Sequence, residues 1–176
     1  MSNLITTARM WCMAGHEAVG QRRKYTDRPY WEHPGRVADL VSSRGYSSKV
    51  IAAAYMHDLI EDTQITAESL SYVFSDDIVN LVLEVTDVSK PEDGNRAFRK
   101  ELDKKHLAKA SAEGQTIKLA DLIDNTSSIL KYDRAFGIRY MQEKKELLEV
   151  LTKGDRVLHA QASEIVRKWD NHEYEQ

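Results

Sequence analysis

Residues 56–63 of the chain read MHDLIEDT and carry four side chains that can bind a metal or transfer protons. His57 and Glu61 are four residues apart, as are Asp58 and Asp62, so on an α-helix each pair lies on one face, one turn apart. The segment just before this stretch is apolar and predicts a buried helix. Four ionisable groups that continue a buried helix are unfavourable unless a metal or polar partners satisfy them. The stretch therefore predicts a functional site.

Two other segments supply side chains of the same kind. His33 directly precedes Pro34, and proline is favoured in the first turn of a helix, so His33 should lie at a helix start. Asp121 lies in an apolar run, with Asn125 one turn further along the same face. Taken singly, such residues are typical of ordinary core or surface positions. Together with the His57–Asp58 dipeptide they offer two imidazoles and two carboxylates, a ligand set that suits Mn, Fe or Zn.

The order of these motifs resembles that of the HD-domain metal-dependent phosphohydrolases. The flanking residues are similar to the hydrolase domain of the RelA/SpoT group, and most of all to its small stand-alone alarmone hydrolases. The resemblance extends from about Ala14 to the last predicted helix. It rests on the following segments: Arg23-Lys24, Pro29-Tyr30, His33-Pro34, Val37-Ala38, the 57–63 run, Val85-Thr86-Asp87, and Ile117-Lys118-Leu119-Ala120-Asp121 with Asn125.

The resemblance implies an all-α fold, a single-domain HD-type helical bundle that spans residues 1–176. It also implies a divalent metal, usually Mn²⁺, with Fe, Zn or Co as alternatives. The implied metal ligands are His33, His57, Asp58 and Asp121. The implied pair that orients and deprotonates the attacking water is Glu61 and Asp62. The implied substrate contacts are Arg23, Lys24, Asn125 and Tyr140.

In this family the reaction removes the 3′-pyrophosphate from guanosine tetra- or pentaphosphate and leaves GDP or GTP. Two features of the chain depart from the family pattern, and both fall on parts that contact the substrate. The family often has an arginine shortly after the asparagine, whereas Asn125 is followed here by TSS. Segment 25–28 is also about one residue shorter than usual. Neither departure alters an implied metal ligand.

Three functions are compatible with these motifs. The first is hydrolysis of guanosine polyphosphates. The second uses the same metal centre on another nucleotide, such as a deoxynucleoside triphosphate, a nucleoside monophosphate or NADPH. The third is a catalytically idle nucleotide-binding or sensor protein. The presence of Glu61 and Asp62 beside the implied ligands favours an enzyme, because a sensor needs no water-activating pair.

The composition limits the choice of partners. The chain of 176 residues carries 25 Lys and Arg against 28 Asp and Glu, a formal net charge of −3. This balance argues against an extended nucleic-acid surface, which normally shows a basic excess, but it allows a local basic pocket for a small nucleotide. The single cysteine, Cys12, excludes an internal disulfide and fits a reducing compartment. With no signal peptide or membrane span in the sequence, we expect a cytoplasmic protein without a membrane partner.

Apolar residues recur at helical spacing along the whole chain, and no segment alternates long enough to predict a strand. The last two predicted helices carry leucines and other apolar residues at this spacing, which predicts core packing or, as an alternative, a homodimer surface. The predicted helices cover residues 3–19, 34–44, 48–61, 66–73, 76–86, 95–111, 115–131, 135–152 and 156–173.

Overall fold

A computed structural model describes residues 3–171, apart from the side chain of Ser127. Within that range the chain is helical, with no β-strand beyond one isolated bridge between Arg22 and Pro29. The predicted all-α fold is therefore confirmed. Its described residues form two compact units, one up to Thr86 and one from Asp87 onward. The description as one domain over 1–176 stays a prediction.

The first unit is built around one short helix with an apolar, buried centre. Its helices are α1 (Asn3–Ala18), α2 (Glu32–Ser43), α3 (Ser48–Met56), α4 (Leu59–Asp62), α5 (Ala67–Ser71) and α6 (Asp76–Val85). Helix α3 packs against α1, α2 and α6, and its three alanines, at 52–54, are fully buried. Small side chains let the three neighbouring helices approach closely. Helix α3 thus fixes the position of the polar residues that follow it.

Helices α1 and α4 approach each other closely at Gly15. A Cβ atom built on this glycine would lie 2.8 Å from side-chain atoms of both Leu59 and Ile65, which is closer than carbon atoms pack. Leu59 is fully buried and is the first residue of α4. The short helix α4, which carries Glu61 and Asp62, is therefore anchored to α1 by an apolar contact.

The second unit is a set of longer helices. The helices are α7 (Arg96–Leu107), α8 (Ala112–Tyr132), α9 (Arg134–Leu148) and α10 (Arg156–Asp170), and a 3₁₀ turn (Pro91–Asp93) precedes them. Helices α8, α9 and α10 pack against one another in pairs. Side-chain oxygens cap the start of each of these helices, as Ser111 does for Gly114 N of α8 and Asp133 does for Phe136 N of α9. In the described part of the chain, no helix is long and apolar enough to cross a membrane.

Candidate active site

Three predicted ligands meet in the first unit. His33, His57 and Asp58 each offer a ligand atom, and these atoms lie within 4.8 Å of one another. The Nε2 atom of His57 is 3.2 Å from Asp58 Oδ1, and the Nε2 atom of His33 is 3.6 Å from Asp58 Oδ2. Both imidazoles are buried, whereas the carboxylate is partly exposed. The arrangement directs two nitrogens and a carboxylate toward one point.

The cluster lies at a break between two helices. We predicted one helix over residues 48–61, but this prediction was wrong in detail, because α3 ends at Met56 and α4 begins at Leu59. Asp58 has φ −98° and ψ −3°, which departs from regular α-helix geometry. His57 Nδ1 donates a hydrogen bond to the carbonyl of Ala54 at 2.9 Å. A carbonyl can only accept, so this bond leaves Nε2 of His57 as the basic nitrogen, as in many metal-bound histidines.

His33 is held at the start of α2. The helix begins one residue earlier, at Glu32, and the backbone N–H of His33 donates to the carbonyl of Tyr30 at 2.9 Å. The side chain of Tyr30 reaches the same cluster, because its hydroxyl donates to Asp58 Oδ2 at 2.8 Å. Tyr30 therefore orients the Asp58 carboxylate. The sequence did not predict a role for Tyr30, although the residue lies in the segment just before Pro34.

Asp62 is linked to the interior of the unit by a chain of hydrogen bonds. Gln21 Nε2 donates to Asp62 Oδ2 at 2.9 Å, and Gln21 Oε1 accepts from His16 Nδ1 at 2.6 Å. His16 is fully buried on α1, and its Nε2 has no hydrogen-bond partner among residues 3–171. Burial lowers the pKa of His16, so the imidazole is kept neutral. The chain of hydrogen bonds fixes one oxygen of Asp62.

The environment of Asp62 disfavours its charge. Loss of solvent around the carboxyl group, followed by the negative charge of Asp58, raises the pKa of Asp62 above its ordinary value. A carboxylate with a raised pKa is a better proton acceptor at neutral pH than an ordinary aspartate. Glu61, the other member of the predicted pair, is exposed on α4.

Arg23 and Lys24 lie in a hairpin-like loop of the first unit. The backbone N–H of Arg23 donates to the carbonyl of Arg28 at 2.9 Å, and the turn is closed with Asp27 in the left-handed region at φ 54°. The guanidinium of Arg23 lies 5.8 Å from the ring centroid of Tyr30. Arg23 is thereby held beside the residue that orients Asp58. The exposed Lys24 amine stacks on the ring of Tyr25 instead, at 4.9 Å.

The other three predicted residues line one cavity of about 280 Å³ in the second unit: Asp121, Asn125 and Tyr140. The Oδ1 atom of Asp121 accepts from Asn125 Nδ2 at 2.6 Å, and its Oδ2 atom lies 2.8 Å from the Lys118 amine. Asp121 is buried, so these contacts hold a charged carboxylate in place. The hydroxyl of Tyr140 donates to the Leu122 carbonyl at 3.4 Å.

Paired charges surround the same cavity. The guanidinium of Arg96 donates to both carboxylate oxygens of Glu143, at 2.7 and 2.8 Å. The Lys100 amine lies 2.8 Å from Asp87. Nearby lysines, Lys118 first, lower the pKa of Asp87 despite its burial. The cavity therefore presents cations whose carboxylate partners could exchange for the phosphate groups of a ligand.

The first-unit cluster fits a divalent transition metal. Its donors are neutral imidazole nitrogens and a carboxylate, which suit Mn, Fe or Zn more than Ca, and the described part of this cluster contains no thiolate. The hydrogen bond from His57 to Ala54 and that from Tyr30 to Asp58 are the kind of outer contacts that orient metal ligands. Asp62, four residues after Asp58, interacts electrostatically with the Asp58 carboxylate of this cluster.

Comparison with known proteins agrees with this geometry. A family model described as an HD domain matches residues 8–147. A relative from Danio rerio, named guanosine-3′,5′-bis(diphosphate) 3′-pyrophosphohydrolase MESH1, is 32% identical over 160 residues, which cover 88% of this chain and 87% of that protein. A relative from Mycoplasma pneumoniae, named probable guanosine-3′,5′-bis(diphosphate) 3′-pyrophosphohydrolase, is 31% identical over 135 residues, or 72% of this chain.

The match with the Mycoplasma protein covers only 18% of that protein, so the chain spans a small part of the length of such relatives. A solved structure is similar over 96% of both chains, with a TM-score of 0.85 and 27% identity. It is described as a metazoan ortholog of SpoT that hydrolyses ppGpp. The agreement of motifs, fold and family model over most of the chain leads to one conclusion: the chain belongs to the HD-domain family.

Proposed function

We propose that this protein is a metal-dependent hydrolase that removes the 3′-pyrophosphate from guanosine-3′,5′-bis(diphosphate), or ppGpp, to give GDP and pyrophosphate. The observation that carries the proposal is the cluster of His33, His57 and Asp58, together with Asp62, whose carboxyl group interacts electrostatically with Asp58. The similarity to proteins named for this activity, over nearly the full length of one of them, supports the choice of substrate.

The metal ligands in this proposal are His33, His57, Asp58 and Asp121. The order of these residues in the sequence supports the set, as does the fixed carboxylate of Asp121 between Lys118 and Asn125. A bound divalent metal would polarise the phosphoryl group and make water acidic enough to attack at neutral pH. Mn²⁺ is the metal we propose, ahead of Fe, Zn or Co, because imidazole and carboxylate donors accommodate it and the family resemblance favours it.

Glu61 and Asp62 are the proposed proton-handling pair. Asp62 is the better candidate for the base, because its pKa is raised and one of its oxygens is held by Gln21. The exposed Glu61 would orient the water from the same short helix. As the new P–O bond forms, the bond from phosphorus to the ribose 3′ oxygen breaks, and the proton held by the Asp62 carboxyl group would return to that oxygen to give the 3′-hydroxyl of GDP.

Arg23, Lys24, Asn125 and Tyr140 are the proposed substrate contacts. The guanidinium of Arg23 beside Tyr30 can pair with a phosphate or stack on the base. Asn125 offers an amide for the nucleoside, and Tyr140 lines the same cavity. A cytoplasmic location and a homodimer through the C-terminal helices stay predictions from the sequence.

Neutralising Arg23 and Lys24 together, as Arg23→Gln with Lys24→Gln, is expected to raise the KM for ppGpp roughly tenfold or more, because charge-assisted bonds to phosphate are lost. The loss should shrink as salt is added, since salt already screens these charges in the parent protein. Steady-state kinetics at several salt concentrations measures both effects. Replacing the exposed Arg44, at the C-terminal end of α2, with Gln is the control, and an equal rise in KM there would contradict a specific contact.

Replacing Gln21 with methionine is expected to lower kcat for ppGpp roughly tenfold with little change in KM, because Asp62 loses the bond that fixes its Oδ2 atom. Metal content should be unaffected, since Gln21 is not among the proposed ligands. The variant Gln21→Glu, which keeps the length of the side chain but repels Asp62, should be impaired at least as strongly. A kcat equal to that of the parent in both variants would contradict this role.

The test of the proposed substrate is a panel assayed with added Mn²⁺. The panel contains ppGpp, the deoxynucleoside triphosphates, a nucleoside monophosphate, NADPH and a generic phosphomonoester, with products separated by chromatography. Preferential turnover of ppGpp to GDP and pyrophosphate is the expected result. Faster turnover of another member would keep the metal chemistry and replace the substrate. Bound metal without any turnover would favour a sensor.

A further inference from the structure

Lys144 occupies a core position on α9. The buried residues of this helix are Gly137, Met141, Lys144 and Leu148, a spacing of four, three and four that defines one helix face. Three of them are the kind of residue that packs in a core, and the fourth carries an amine. Lys144 is fully buried and makes no ion pair with any carboxylate among residues 3–171. Lysines are almost never buried in this way without a charged partner.

The amine of Lys144 reaches across to one turn of α8. It donates to Thr126 Oγ1 at 2.8 Å, and it lies 3.4 Å from the Leu122 carbonyl. The hydroxyl of Thr126 donates its own proton to the same Leu122 carbonyl at 2.5 Å, which leaves its lone pairs to accept from the amine. The buried amine and the buried hydroxyl thus form a small closed network with the backbone of α8.

This turn of α8 carries the two residues proposed to act at the active site. Leu122 follows Asp121 directly, and Thr126 follows Asn125 directly. Asp121 and Asn125 are themselves joined by a hydrogen bond of 2.6 Å. Any rotation or fraying of the turn would therefore move the carboxylate and the amide together. Lys144 contacts the turn at the residue next to each of them and lines the same cavity as both.

Stability does not explain why an amine occupies this position. Burying an ammonium group opposes folding, and the charge of Asp121 offsets only part of that cost. A methionine of similar length would fill the same space without the penalty. Burial lowers the pKa of Lys144 to about 7, which reflects this penalty. Both the charged and the neutral amine have at least two N–H groups, so the contacts with Thr126 and Leu122 persist in either form.

We propose that Lys144, through Thr126, is a positioning residue that holds the α8 turn bearing Asp121 and Asn125 in the orientation that nucleotide hydrolysis requires. The proposal rests on the proposed function, because it assigns an effect on turnover. A purely structural lysine would, on removal, lower stability and activity together. Removing the amine should make the fold more stable and the enzyme less active.

The test compares Lys144→Met with the matched control Lys145→Met, which removes the exposed neighbouring amine that pairs with Asp170. In Lys144→Met, Tm is expected to rise by about 3–5 °C, because the buried polar group is gone. The kcat/KM for ppGpp is expected to fall roughly tenfold or more, because a small displacement of positioning groups is enough for such a loss. Lys145→Met should change neither quantity appreciably.

Thr126 provides the second arm of the test. Thr126→Val removes the hydroxyl and keeps the shape, so it should lower kcat/KM much as Lys144→Met does, whereas Thr126→Ser keeps the hydroxyl and should retain most of the activity. Because the two residues act through one contact, the double variant Lys144→Met with Thr126→Val should lose little more than either single variant. Additive losses would contradict a shared role.

Parent kinetics distinguish the failure of this inference from that of the proposed function. A parent protein that does not hydrolyse ppGpp overturns the proposed function, and the positioning claim is then decided by hydrogen exchange of amides 121–126. Hydrogen exchange of these amides should be at least about threefold faster in Lys144→Met than in Lys145→Met, because the turn has lost its contacts with the Lys144 amine. Three results would each overturn the inference. One is a Lys144→Met variant with the kcat/KM of an active parent. The others are a lower Tm in Lys144→Met and unchanged hydrogen exchange of amides 121–126.

Discussion

Asp58→Ala is expected to abolish metal binding and ppGpp hydrolysis together. The carboxylate lies between the two imidazoles, 3.2 Å from His57 Nε2 and 3.6 Å from His33 Nε2, so its loss removes the one anionic ligand of the described cluster. Because a metal supplies several kcal/mol of transition-state stabilisation, kcat should fall by roughly three orders of magnitude or more. Metal content after dialysis and single-turnover rates measure the two losses.

The control for this variant is Asp76→Ala, which removes an exposed carboxylate from the first turn of α6 in the same unit. It should bind metal and turn over ppGpp as the parent does. Full activity of Asp58→Ala in metal-depleted buffer would contradict the metal centre itself. A fully metal-loaded but inactive Asp58→Ala would instead move the anionic ligand to another residue and leave Asp58 a different role.

Asp62→Asn is expected to keep the metal and lose turnover, by roughly 10²- to 10⁴-fold in kcat, because the proton acceptor is gone while the ligands are intact. Glu61→Gln should show a smaller loss of the same kind. In the metal-free protein, loss of solvent around the carboxyl group, followed by the negative charge of Asp58, raises the pKa of Asp62, and only the deprotonated form of Asp62 accepts a proton. Normal kcat in Asp62→Asn would assign the base elsewhere.

The same variant has a stability consequence of definite sign. A carboxyl group whose pKa is raised in the folded protein opposes folding above that pKa, where it is charged in both states, and this penalty vanishes as the pH falls below the ordinary value. Metal-free Asp62→Asn should therefore be more stable than the metal-free parent at neutral pH. Thermal unfolding at several pH values measures the difference, and it should narrow toward acid pH.

The sequence predicted the all-α fold because apolar residues recur at helical spacing along the whole chain. It did not predict the break between α3 and α4, because no glycine or proline interrupts residues 48–62. At the break the His57 ring donates a hydrogen bond to the Ala54 carbonyl, a contact that exists only once the ring is packed in the core. Helix propensities alone predict a continuous helix at this point.

The sequence predicted His33, His57 and Asp58 as ligands from their chemistry and from the family resemblance, and the resemblance alone implied most of the other site residues, whereas the residues that support them were not predicted. His16 lacked ligand-like neighbours in the sequence, so only the fold shows that it is buried and bonded to Gln21. Tyr30 was recognised as part of a motif but not as a donor to Asp58. Contacts between residues distant in sequence depend on how helices pack, and one sequence does not specify them.

Lys144 is a different case, because its signal was present. A lysine at the position where Met141 and Leu148 define an apolar face breaks the hydrophobic pattern of α9. A polar residue among apolar residues on one helix face indicates either that this part of the face is exposed to solvent or that the polar group is buried with a specific partner. The structure identifies the partner as Thr126. Breaks in an otherwise regular apolar stripe are therefore worth testing as functional positions.

The most direct test of the central proposal is product analysis of ppGpp hydrolysis in ¹⁸O-labelled water, with and without a chelator. Metal-loaded protein should yield GDP and pyrophosphate in equal amounts, with ¹⁸O in the pyrophosphate, because water attacks the phosphorus bonded to the ribose 3′ oxygen. The chelator should stop the reaction, and returning Mn²⁺ should restore it. Release of orthophosphate, or turnover that survives the chelator, would contradict a metal-dependent 3′-pyrophosphohydrolase.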